Sequence, residues 1–312
     1  MNKYKLNNVK KYNINNINYW ENYLKEDVSY VKSTKHIHYY NDINYTPWPF
    51  HICICLFLFC FFSVLHLHFF EWATSALSIT FISLISFIIF WSLDLHYDSV
   101  YFGKFNYKIR RSVVGGFLLF LISEAAVFAG FIWAYLDRFF HSPSQIGGTG
   151  LPIGIEFVSW DGYPLWGAFI LLASGWGCNC AYYAARGGSW YMFNLWSLYG
   201  HVLGGLFIIN IQLQEYFSKN TLSISDSVIG SCYYIITGFH GLHVCIGLFA
   251  LTFLSSFIST FKIDRDRIFA YALALAYWHF VDWIWLFLYF ILYIANSNLM
   301  HYNEFFISEI TK

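Results

Sequence analysis

Seven apolar runs account for most of this sequence. They cover Phe50 to Phe70, Ala73 to Leu93, Ser112 to Leu136, Pro164 to Ala185, Trp190 to Leu213, Val228 to Phe261 and Ile268 to Ala295. A helix needs about 20 mostly apolar residues to cross a bilayer, and each run supplies them. The sixth is long enough to tilt or to project beyond the lipid. Composition agrees. Only 12% of residues are charged, 58% are hydrophobic and 23% are aromatic, whereas a soluble domain averages about 25% charged. Thirty-four Phe, 25 Tyr and 13 Trp exclude a disordered chain, which would be polar and poor in aromatics. The formal net charge of zero argues against a broad basic face for nucleic acid. The fold expected is an all-α membrane protein with seven transmembrane helices.

The basic residues give that count a direction. With seven spans, the N-terminal tail and the loops after the second, fourth and sixth spans share one side. That side holds fifteen of the eighteen Lys and Arg; only Arg138, Lys219 and Lys312 fall opposite. The asymmetry places the N-terminus on the cytoplasm-equivalent side and the C-terminus across the membrane. Residues 1–46 form a polar tail with ten Asn and no Arg. Its acids, Glu21, Glu26, Asp27 and Asp42, are unlike an Arg-rich transit peptide. The membrane domain is expected over residues 47–295, with a short C-terminal tail over 296–312. The sequence shows no inverted repeat of the kind found in many transporters.

Seven cysteines at Cys53, Cys55, Cys60, Cys178, Cys180, Cys232 and Cys245 include no C-x-x-C pair. They read as small apolar residues. Two carboxyls lie inside spans: Glu124 in the third and Asp282 in the seventh. A charged group at mid-bilayer is costly, so each is expected to be neutral, paired or turned into the bundle. Glu124 has no basic residue in its own span, and Phe117, Phe120, Phe128 and Phe131 share its helical face. His279 lies three residues before Asp282 and can pair with it. His240 and His243, on the sixth span, are expected to join them in an interhelical polar cluster. Too few histidines lie on facing helices for a metal or haem site. A proton-coupled transporter using Glu124 and Asp282 is the alternative function.

Several segments resemble cytochrome c oxidase subunit III. Phe239-His240-Gly241-Leu242-His243-Val244 is similar to the family's FHGxHV segment. Trp278-His279-Phe280-Val281-Asp282, with Trp285-Leu286-Phe287, resembles its WHFVDxxWxFL signature. Ile122-Ser123-Glu124, Leu171 to Gly175, Ile224-Ser225-Asp226 and Pro47-Trp48-Pro49 match further family segments in order. The resemblance implies a core subunit of a haem-copper terminal oxidase, built as two helices and five helices around a lipid-filled V-shaped cleft. It implies no redox centre in this chain, with haem and copper in partner subunits. The implied contacts are subunit I, subunit II, accessory subunits and phospholipid. The implied location is the mitochondrial inner membrane, N-terminus to the matrix and C-terminus to the intermembrane space. It also implies support of proton uptake and of durability in turnover. By the same resemblance Glu124 is the buried, carbodiimide-reactive carboxyl, and Trp91, Asp98 and Lys104 are lipid-cleft positions. The sequence departs from the family at Lys104-Phe105 and Tyr182-Tyr183, where paired histidines are usual, and at Ala272, where a glutamate is usual.

Overall fold

The computed structural model describes residues 46–98, 105, 107–141, 158–209, 213–217, 223–261 and 265–296. The N-terminal tail before Thr46, the C-terminal residues after Asn296 and Lys104 lie outside the described residues. Seven long helices are described: α1 (Trp48–Leu67), α2 (Glu71–His96), α3 (Tyr107–Phe140), α4 (Tyr163–Arg186), α5 (Trp190–Phe207), α6 (Val228–Phe261) and α7 (Arg265–Leu288). A π-helical turn, Tyr289–Ile294, continues α7, and a short helix, Leu213–Phe217, precedes α6. Each long helix overlaps one expected apolar run.

Among the described residues, five helices are long and apolar enough to cross a membrane: Trp48–Leu67, Glu71–Leu95, Tyr107–Phe140, Val228–Ser259 and Ile268–Ile294. The other two, α4 and α5, carry Gly, Trp, Tyr and Asn among their aliphatic residues. Their composition serves close packing instead. Most helix boundaries differ by a few residues from the expected ones. α3 begins at Tyr107 rather than Ser112, so Lys108, Arg110 and Arg111 lie on the helix. Long basic stems can cover apolar surface while their heads stay in water, so a helix need not start where its apolar run does. The α-helical part of the fifth run ends at Phe207, before Leu213. At the far end the helix runs on through Asn296, one residue past the expected limit.

Two compact bodies emerge, divided between Val113 and Val114. In the first, α1 and α2 form an antiparallel hairpin. Trp48 stacks on Phe90 (5.6 Å between ring centroids), Phe59 meets Phe81 (6.0 Å) and Phe62 meets Trp72 (6.1 Å). Partners ascend one helix as they descend the other. The Trp48 indole donates to Asp94, closing the open end. α1 starts on Pro47-Trp48-Pro49, where a proline in the first turn costs no hydrogen bond.

The second body holds the core. Trp278, Trp285, Tyr135, Tyr233, Tyr271, Phe128, Phe193 and Phe207 are fully buried in it. Helices in lipid gain no hydrophobic drive from meeting each other, so close contact depends on small residues. α4 and α5 meet at glycines. A Cβ on Gly177 would lie 2.6 Å from the Tyr199 ring, and one on Gly200 would lie 2.5 Å from Cys178 Sγ. All seven cysteines are unpaired thiols.

Candidate functional site

Glu124 lies midway along α3, and His243 lies midway along α6. Their side chains meet: His243 Nε2 is 2.9 Å from Glu124 Oε2. The histidine side chain is 6% exposed and the carboxyl 22%. The other ring nitrogen fixes the chemistry. His243 Nδ1 donates to the Phe239 carbonyl at 2.7 Å. A carbonyl can only accept, so Nδ1 carries hydrogen in every protonation state of the pair. One proton therefore lies between Nε2 and Oε2. With the proton on oxygen, a neutral carboxyl donates to a neutral imidazole. With it on nitrogen, an imidazolium donates to a carboxylate. Both arrangements have zero net charge, which is how a carboxyl can sit at this depth without the cost of a lone ion.

Three of the phenylalanines that share the Glu124 face of α3 pack on rings of α6 and α7. Phe128 packs edge-on to the His243 ring at 5.1 Å, Phe131 meets Phe239 at 5.6 Å, and Phe120 stacks on Tyr277 at 6.2 Å. Apolar walls on several sides raise the strength of the bond between the two polar groups.

The proposed single cluster of His240, His243, His279 and Asp282 is divided in the structure. His243 turns to Glu124. His240 Nε2 instead donates to the Val281 carbonyl of α7 at 3.2 Å. His279 Nδ1 lies 3.5 Å from Asp282 Oδ2 within α7, the imidazole 37% exposed and the carboxyl 5%. The reason is helical geometry. Neighbours three apart are still offset by about 60° around the helix axis, so His240 and His243 can reach different helices. Asp282 packs against α4, where a Cβ on Gly175 would come within 2.6 Å of its Oδ2. Beside it, Trp278 Nε1 donates to Ser174 Oγ at 3.0 Å.

Reading the sequence did not identify Ser174 as a partner of Trp278 or Asn296 as a partner of Tyr135. Tyr135 OH donates to Asn296 Oδ1 at 2.8 Å, with both residues buried. The run Ala173-Ser174-Gly175 signalled a close contact but could not say with which helix. Of the positions expected to contact lipid, Trp91 is half-buried on α2, and Asp98 is buried just beyond the end of that helix. Lys104 is not among the described residues. Among the described residues, no three His, Cys, Asp or Glu side chains are grouped to hold a metal ion.

Comparison with known proteins bears on this architecture. Residues 38–297 match the family model for cytochrome c oxidase subunit III. A cytochrome c oxidase subunit 3 from Ovis aries is 32% identical over 260 residues, covering 83% of this chain and 98% of the relative. The Neurospora crassa protein of the same name is 30% identical over 270 residues, covering 86% and 98%. That of Yarrowia lipolytica is 29% identical over 259 residues, covering 82% and 95%. The match takes in all seven long helices, the Glu124–His243 pair and the Trp278-to-Asp282 segment, and the chain belongs to the cytochrome c oxidase subunit III family.

Proposed function

We propose that this chain is a non-catalytic core subunit of a terminal respiratory oxidase in the mitochondrial inner membrane. It packs on subunit I, in a complex with subunit II and accessory subunits, and leaves haem and copper chemistry to its partners. It crosses the membrane seven times, with its N-terminus in the matrix and its C-terminus in the intermembrane space. The charge asymmetry of the loops supports that direction. It binds structural phospholipid, with Trp91, Asp98 and Lys104 as the lipid-contacting positions. Glu124 supports proton uptake and durability in turnover.

The observation that carries the residue-level reading is the 2.9 Å contact between Glu124 and His243. A pair with one shared proton can pass it between oxygen and nitrogen without creating net charge in the membrane. Hydrophobic carbodiimides need a protonated carboxyl in an apolar setting, and this pair supplies one. Glu124→Gln is the test. The glutamine amide donates to His243 Nε2, so the oxidase assembles. Carbodiimide labelling of this chain is lost, and oxygen consumption falls modestly at most. Labelling that persists in the variant contradicts the reading. In a proton-coupled transporter Glu124 and Asp282 would have to act in sequence, but each has its own imidazole partner.

A further inference from the structure

The second body contains three buried polar atoms with no hydrogen-bond partner around one turn of α7: His240 Nδ1, Asp282 Oδ1 and Trp285 Nε1. Their residues are 0%, 4% and 0% exposed. His240 touches this turn at two points. Its Nε2 donates to the Val281 carbonyl at 3.2 Å, and its ring centroid is 5.1 Å from that of Trp285. Asp282 follows Val281 and precedes Trp285 by three residues, a spacing that puts neighbours on one helix face. Long side chains in helices lean back over the preceding turn, which carries the Trp285 indole toward Asp282. Phe207 closes another side, 4.9 Å from the Trp285 ring and 6.0 Å from His240.

We propose that a single internal water molecule binds here, held by His240, Asp282 and Trp285. The hydrogen-bond inventory matches water closely. His240 donates through Nε2 to a carbonyl, so its Nδ1 is a bare acceptor. Asp282 Oδ1 is a second acceptor, and Trp285 Nε1 is a donor only. Water donates twice and accepts from the indole, satisfying all three atoms at once, and buried waters typically make about three such bonds. A metal cation fits poorly, because the indole N–H would point at it. An apolar occupant would leave all three atoms unpaired. This site is separate from the Glu124–His243 pair and does not depend on the role proposed for it. It places a polar, exchangeable molecule between α6 and α7, beside the carboxyl that contacts the half-exposed His279.

A density map of the assembled oxidase that resolves ordered waters tests this, for the wild type and for Trp285→Phe. The wild type is expected to show a peak within hydrogen-bond distance of all three atoms, about 2.7–3.2 Å. In Trp285→Phe, which removes the only donor, the peak is weakened or lost. The absence of a wild-type peak overturns the proposal, as does a peak unchanged in the variant. If the variant fails to assemble, the wild-type map decides: a peak touching all three atoms supports the site, and a peak missing any of them overturns it.

Discussion

Trp278 shows how much one side chain can organise in a membrane bundle. It projects from α7, is fully buried, and bonds to Ser174 on α4. A Cβ on Gly204 of α5 would lie 3.0 Å from its ring, and one on Gly247 of α6 would lie 2.9 Å from it. The indole is a wedge in a slot whose walls are two glycines, so three neighbouring helices take their spacing from it. Trp278→Ala removes the wedge and leaves Ser174 without its donor. The expected loss is about 3–5 kcal/mol, within the range for burying a large cavity. Incorporation of the variant into the oxidase, followed by thermal inactivation, measures it; wild-type incorporation and stability would contradict this role. The sequence showed that Trp278, His279 and Asp282 belong to one patterned segment. It could not show that Glu124 pairs with His243, because 119 residues of chain separate them and nothing local to either residue signals the other.

At the scale of the helix, the apolar runs were legible because lipid imposes length and composition together. The helix ends were less so. α1 and α4 both end in a Schellman motif. After α4, Gly188 adopts φ +75°, with Gly188 N–H donating to Ala185 O at 3.1 Å and Ser189 N–H to Ala184 O at 3.0 Å. That conformation suits glycine. After α1 the same position is Phe69, at φ +65°, with Phe69 N–H donating to His66 O at 3.0 Å and Phe70 N–H to Leu65 O at 3.2 Å. An L-residue here pays a steric penalty of about 1–2 kcal/mol. The Phe69 ring is 93% exposed and gains no internal packing in return. Phe69→Gly should therefore stabilise the α1–α2 hairpin by about 1 kcal/mol. A raised midpoint of thermal inactivation in the assembled oxidase would bear this out; a lowered midpoint would show that the exposed ring anchors the turn.

Across the second body, α3 is joined differently from its neighbours. α4 and α5 approach through glycines, whereas α3 is held by long side chains: Phe120, Phe128 and Phe131 against α6 and α7, Tyr135 on Asn296, and Glu124 on His243. The sequence located α3 and its carboxyl but gave no sign of this mode of attachment, since Asn296 reads as the start of a tail and only the fold brings it to Tyr135. Among these ties the carboxyl–imidazole pair is the one whose members depend on each other. Removing His243 leaves a half-buried carboxyl without its partner, and removing Glu124 leaves an imidazole nitrogen unsatisfied. A double-mutant cycle of Glu124→Ala and His243→Ala, read as thermal inactivation of the assembled oxidase, measures that dependence most directly. The predicted result is a double variant less destabilised than the two single losses combined, by about 1–3 kcal/mol. Losses that simply add would contradict a proton shared between α3 and α6.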